Sequence, residues 1–113
     1  MKNYIQRGET LTLTAPYAVS SGGGALVGSI FGVAATDVAS GEEVEFQVAG
    51  VFDLVRETGA STAWSAGDLI YWDNTNKRAT KTATSNKLIG VAARAAADGD
   101  ATGRVRLNGA FIS

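Results

Sequence analysis

The feature that most constrains the fold is an internal repeat. Residues 31–35 (Phe-Gly-Val-Ala-Ala) align with residues 89–93 (Ile-Gly-Val-Ala-Ala). After a short loop, residues 46–52 (FQVAGVF) align with residues 105–111 (VRLNGAF), and the second loop is one residue longer. Because repeated units bury their apolar faces against one another, the sequence predicts two related β units around one core.

The repeat also extends upstream and includes a pair of glycines. Residues 24–27 resemble residues 67–70, with a longer hairpin inserted in the second copy. Gly32 and Gly90 occupy matching positions within apolar runs. Since glycine inside a strand marks a bulge or a close backbone approach, we expect one of these at both positions.

Short alternating runs indicate the strands. Residues 10–14, 43–48 and 104–108 alternate apolar and polar side chains, as a half-buried strand does. Further strands are expected within residues 26–35, 51–55, 68–73, 78–83 and 87–93. Helix is expected at most as a short turn, at the alanine-rich residues 92–97 or around residues 62–64. The predicted fold is all-β, a small glycine-rich barrel or sandwich of about eight strands.

Length and composition set the domain organisation. The 113 residues include 14 glycines and one proline, enough chain for one domain with many tight turns. We expect an N-terminal arm at residues 1–9 and a single β domain at residues 10–113. The N-terminus shows no apolar signal region, which favours synthesis and use in a cytoplasm.

The residue inventory argues against catalysis and cofactors. The chain has no histidine and no cysteine, which removes the commonest general base and the usual metal ligands. We therefore predict no enzymatic activity and no cofactor. The net charge of −1 gives no reason to expect nucleic acid as a direct partner. No apolar run reaches the ~20 residues of a membrane-spanning helix.

Charge is distributed unevenly along the repeat. The middle of the chain is acidic and the C-terminal part is basic, so that Glu45 aligns with Arg104 and Gln47 with Arg106. One interpretation is a set of cross-strand ion pairs on a solvated sheet. The other is an acidic patch on one subunit that meets a basic patch on the next, a heterologous contact in a ring.

Several stretches of the sequence together resemble one family. They are residues 1–11 (MKNYIQRGETL), 26–34 (LVGSIFGVA), 66–73 (AGDLIYWD), 88–92 (LIGVA) and 103–109 (GRVRLNG). In order and spacing they resemble the capsid cement, or decoration, proteins of tailed phages and prophages. Arg7 stands where many relatives would carry proline, a departure that would loosen the N-terminal arm.

The resemblance implies a virion structural protein with no catalytic residues. It would be made in the host bacterial cytoplasm, bind the outer surface of the assembled capsid and stabilise capsomer junctions. Its partners would be the major capsid protein and further copies of itself, with a trimer favoured. Candidate assembly or capsid contacts are the arm, β-strand carboxylates and C-terminal arginines: Tyr4, Ile5, Arg7, Glu43, Glu45, Arg104 and Arg106.

An alternative function uses the aromatic residues. Trp64, Tyr71 and Trp72 lie close together in the sequence, and exposed aromatic side chains in one groove would suit a carbohydrate- or host-surface-binding module of a virion. The same residues also suit packing on both faces of a strand.

Overall fold

The computed structural model describes residues 10–108 of the chain. These residues form nine β-strands and no helix. The strands are β1 (Thr10–Thr14), β2 (Gly24–Val27), β3 (Ile30–Ala34), β4 (Glu43–Gln47), β5 (Ala49–Val55), β6 (Leu69–Asp73), β7 (Arg78–Thr80), β8 (Lys87–Ala92) and β9 (Thr102–Asn108). The prediction of an all-β fold with about eight strands is therefore confirmed.

The strands form two antiparallel sheets of the same topology. Sheet 1 has the order β1-β4-β3-β2, and sheet 2 has the order β5-β9-β8-β6-β7. β7 has no counterpart in sheet 1, and it pairs with β6 in the hairpin that is inserted in the second copy. Sheet 2 curls into a half-barrel, because Arg56 at the end of β5 forms a bridge with Ala79 of β7. The Glu57 N–H donates to the Ala79 carbonyl at 2.8 Å.

Strand register confirms the repeat residue by residue. Four pairs occupy matching places: Val33↔Gln47 and Ala34↔Phe46 in sheet 1, Val91↔Arg106 and Ala92↔Val105 in sheet 2. The loops match too, since Val19 and Val38 exchange two backbone hydrogen bonds, as Trp64 and Ala96 do. We call β1–β4 unit 1 and β5–β9 unit 2.

The upstream alignment of residues 24–27 with residues 67–70 is wrong by two residues. Gly24 pairs with Val33, whereas the residue paired with the equivalent Val91 is Leu69. The preceding turns set this register, because Gly23 donates to the Ser20 carbonyl at 2.8 Å and Asp68 to the Ser65 carbonyl at 3.1 Å.

Neither predicted helical turn forms. Residues 92–97 leave β8 at Ala92, bend, and return to an extended bridge between Ala96 and Trp64. The same bridge holds the backbone of Trp64 in an extended conformation. Burial of Trp64 and Ala96, which are 4% and 6% exposed, in the core beneath sheet 2 overrides the helical propensity of the alanines, which is only a weak preference.

Two clusters of buried side chains hold the sheets together. The smaller one lies within unit 1, on the side of sheet 1 that carries Ala25, Ala34 and Phe46. The larger one lies inside the half-barrel of unit 2 and includes Leu54, Ile70, Trp72, Val105 and Leu107. Phe31 and Val33 of unit 1 belong to the larger cluster, so unit 1 contributes side chains to both.

Gly32 and Gly90 are both close backbone approaches, as predicted. A Cβ added at Gly32 would lie 2.8 Å from the Cβ of Phe46, and one added at Gly90 would overlap the carbonyl oxygen of Arg106. Real Cβ atoms do not approach so closely, and the β8–β9 pairing could accept a side chain there only by separating.

Gly90→Ala is accordingly expected to lower the free energy of unfolding by about 1–3 kcal/mol, the usual cost of overpacking. Urea unfolding followed by tryptophan fluorescence would measure it. Gly99→Ala is the matched control, because nothing lies within 4 Å of a Cβ at Gly99. Equal stability of the two variants would contradict the close approach at Gly90.

Candidate assembly surfaces

The largest exposed apolar side chains in residues 10–108 belong to sheet 2. Ile70, Ala92 and Val105 point into the half-barrel, and their neighbours along each strand point outward because side chains alternate. One outward row crosses four strands through directly paired residues: Val51↔Arg106↔Val91↔Leu69. Val51 is 54% exposed and Leu69 51% exposed. We call this surface, with Arg104 and Leu88, the outer face of sheet 2.

Arg104 and Arg106, the two arginines predicted as contacts, lie side by side on this face, but only Arg104 forms an ion pair in the described part of the chain. Arg104 is paired in register with Asp53, and its Nε lies 3.0 Å from the Asp53 Oδ1. The hydrogen bond from Arg104 holds the pKa of Asp53 below its usual range. Arg106 lies between Val51 and Val91, and in the described part of the chain no carboxylate pairs with it. Arg106 is thus a cation of this face that is available to a partner.

The two predicted glutamates share one face of sheet 1. Glu43 and Glu45 of β4 are exposed and pair in register with Thr14 and Thr12 of β1. Gln47 continues the row. Within residues 10–108 neither glutamate has an ion-pair partner. We call these five side chains the acidic row.

The structure therefore separates the glutamates from the arginines, which occupy equivalent strands of different sheets. The interpretation as cross-strand ion pairs applies to part of the charge pattern, and the interpretation as a contact between subunits stays a prediction. Asp53–Arg104 and Glu57–Arg78 are cross-strand or neighbouring pairs, at 3.0 and 3.2 Å. The acidic row and Arg106 are left for other contacts. The predicted arm contacts Tyr4, Ile5 and Arg7 lie outside the described residues.

The aromatic residues do not form a ligand platform. Trp64 and Trp72 are 4% and 3% exposed, and Tyr71 is half-buried. Trp64 Nε1 donates to the Arg94 carbonyl at 3.0 Å, and Trp72 Nε1 to the Asn74 Oδ1 at 3.1 Å. Burial with a satisfied N–H is the usual state of a core tryptophan, so the three side chains cannot present one groove for a glycan.

Sequence reasoning missed a buried arginine behind the outer face. Arg56 is 3% exposed and stacks on Trp64, with its Cζ 4.7 Å from the ring centroid. Its guanidinium donates to the carbonyls of Ala97 and Asp100, each at 2.7 Å, and to that of Thr62. It thereby ties two loops to the end of β5. In unit 1 the equivalent position is Ala15. Alternation along β5 puts residue 56 on the inward side with Leu54, but arginine is rarely buried, so its charge argued against an inward position.

Replacing Arg56 by methionine keeps much of the volume and removes every donor. Three carbonyls then lose their partner, the buried one of Thr62 and the part-buried ones of Ala97 and Asp100, and a buried unsatisfied group costs about 1–3 kcal/mol. We expect Arg56→Met to lower the free energy of unfolding by at least about 3 kcal/mol, measured by urea denaturation. Arg94→Met, an exposed arginine, is the control and should change stability little. A small effect of Arg56→Met would mean that water replaces the guanidinium.

Among residues 10–108 no group of three or more acidic side chains could hold a metal ion. No helix in this part of the chain is long and apolar enough to cross a membrane.

Comparison with known proteins identifies the family. A family model described as phage cement protein matches residues 5–107. No curated protein and no solved structure matches the chain significantly. Because the family model covers most of the chain, the chain belongs to the phage cement protein family, a family of phage structural proteins.

Proposed function

From this family membership, we propose that the protein binds the outer surface of an assembled phage capsid and stabilises the junctions between capsomers. The observation that carries the proposal is the presence of two separate outward surfaces of opposite character, the acidic row on sheet 1 and the outer face of sheet 2. A subunit that holds a junction together needs at least two such contact surfaces. Each adds buried area to an interface that internal DNA pressure strains.

The acidic row is the surface that we assign to the capsid. It lies on β1 and β4, and in the sequence the predicted N-terminal arm directly precedes β1, so we assign both to the same contact. Tyr4 and Ile5 provide apolar side chains, and Arg7 provides a cation. An arm of this kind can add a strand to a neighbouring sheet edge. A specific contact of this type buries roughly 1,000 Å² or more in total.

Electron cryomicroscopy of the virion is the direct test of the function. The expected result is density for this fold on the outer shell, between capsomers. A virion whose outer shell lacks the chain would overturn the proposal.

Neutralising the acidic row is expected to weaken capsid binding. Glu43→Gln/Glu45→Gln removes two charges that no described residue neutralises, and we expect roughly a tenfold loss of affinity, or about 1.4 kcal/mol. Co-sedimentation with undecorated capsids would measure it. Thr58→Lys/Thr82→Lys is the control, because it makes the same change in net charge at exposed positions outside the row. Equal binding by both variants would remove the acidic row from the contact.

Substitution in the arm tests its role separately. Tyr4→Ala/Ile5→Ala is expected to reduce capsid occupancy because the arm loses its large apolar side chains. The unfolding curve should stay close to that of the wild type if these side chains serve the capsid contact. A large loss of stability with no change in the occupancy of folded protein would instead assign them to the core.

A further inference from the structure

The two sheets differ at the outer edge of one pair of equivalent strands. In unit 2, β6 pairs with β8 on one side and with β7 on the other. Its counterpart β2 pairs within residues 10–108 with β3 alone. By register, Leu26 corresponds to Tyr71, and Tyr71 pairs with Thr80 of β7. Unit 2 thus shows where a further strand would add to sheet 1.

The main chain of β2 faces β3 and this open edge in alternation. Gly23 faces β3, because its carbonyl accepts from the Ala34 N–H at 2.9 Å. Gly24 faces the open edge, where its carbonyl accepts from the Tyr17 hydroxyl at 2.8 Å. Hydrogen-bonding directions alternate along an antiparallel strand, so the N–H and C=O of Leu26 also face the open edge. No described residue is hydrogen-bonded to them there.

The sequence of β2 does not block pairing at this edge. The strand reads Gly-Ala-Leu-Val, without the lysine or proline by which many exposed edge strands avoid pairing. It is only four residues long, but β7 pairs at the equivalent place with three. An unblocked edge of this kind can accept an extended segment of another chain.

A groove of about 270 Å³ adjoins the Gly24 end of the edge, between the two units. It is lined by Tyr17 and Gly24 of unit 1 and by Leu54, Val55, Trp72 and Lys77 of unit 2. Val55 is 61% exposed, so the groove presents an uncovered apolar side chain. An apolar side chain of a bound segment would fit such a lining.

Lys77 places a positive charge beside the groove. Its ammonium donates to the Asn74 carbonyl and lies over the Tyr17 ring, with Nζ 4.2 Å from the ring centroid. Within residues 10–108 no carboxylate pairs with it. Because opposite charges meet across specific interfaces, a segment that docks here is expected to carry an acidic residue.

The terminal segments of the chain itself do not have this character. Residues 1–8 contain Lys2 and Arg7 and no acidic residue, and residues 109–113 contain no charged side chain. The open edge therefore fits a segment of a different protein better than a terminus from a second copy of this chain.

We propose that an extended, acidic segment of the major capsid protein adds to the open edge of β2 as a fifth strand of sheet 1, antiparallel to β2 as β7 is to β6. An apolar side chain of the segment enters the groove, and a carboxylate pairs with Lys77. This inference rests on the proposed function and adds a capsid contact separate from the acidic row, which lies on β1 and β4.

Hydrogen exchange tests the docking on the unmodified protein. In the free protein, NMR should show fast exchange for the Leu26 amide and slow exchange for those of Ala25 and Val27, which face β3. On undecorated capsids, mass spectrometry should show added protection of residues 24–27. Bound protein without that protection would overturn this inference alone, whereas protein that does not co-sediment with capsids would overturn the proposed function and this inference with it.

The free protein offers two further outcomes that would overturn the inference. Slow exchange of the Leu26 amide in dilute solution would show that the chain itself covers the edge. Protection that increases with protein concentration would assign the edge to a second copy.

Two substitutions of Leu26 separate the main chain from the side chain. Leu26→Ala shortens the side chain and keeps the N–H, whereas Leu26→Pro also removes the N–H. Proline is tolerated in an edge strand where the N–H faces away from the sheet, and circular dichroism would verify folding. The capsid affinity of Leu26→Pro is expected to be roughly tenfold below that of Leu26→Ala. Equal affinities would overturn the proposal, and if Leu26→Pro does not fold, the exchange experiment decides.

Reversing the charge of Lys77 tests the acidic character of the segment. Lys77→Glu is expected to weaken capsid binding, measured by co-sedimentation, because it would repel the carboxylate. Lys81→Glu is the matched control, an exposed lysine in the loop between β7 and β8 with the same change in net charge. Equal binding by the two variants would contradict a carboxylate at Lys77.

Discussion

The packing of Phe31 on Trp72 is the contact on which the rest of the structure depends. Both rings are buried, 4.8 Å apart and tilted by 53°, an arrangement that aromatic pairs favour. The sheets can meet this closely because Gly24 leaves room for the Trp72 ring. Since Phe31 faces away from the inward side of its own sheet, the contact joins unlike sides of two similar units. The asymmetry of the whole molecule follows from it.

Much of the fold could be predicted because the strands follow period-two alternation and the repeat fixes their register. The pairing of Val91 with Arg106 copies that of Val33 with Gln47, as the aligned letters implied. The upstream alignment failed because both segments begin with glycine. The sequence alignment paired Gly24 with Gly67, whereas the hydrogen bonds of the preceding turns and the strand register pair Gly24 with Leu69.

The candidate surfaces were predicted less completely, for a physical reason. Alternation identifies which side chains share a side of a strand, so Arg104 and Arg106 could be placed together and apart from the glutamates. It does not say which side another sheet covers. Val33 and Val91 are equivalent in sequence and pairing, yet only Val33 is buried. The exposure of Leu69 depends on this tertiary choice.

The residues at equivalent positions differ according to the contact that each one makes. Where sheet 1 meets Trp72, the position is Gly24, because a Cβ there would lie 2.9 Å from the Trp72 ring. The counterpart in unit 2 is Leu69, which is 51% exposed, and no other sheet of the described residues covers it. The fold therefore restricts the position in unit 1 to glycine and places no such restriction on its counterpart.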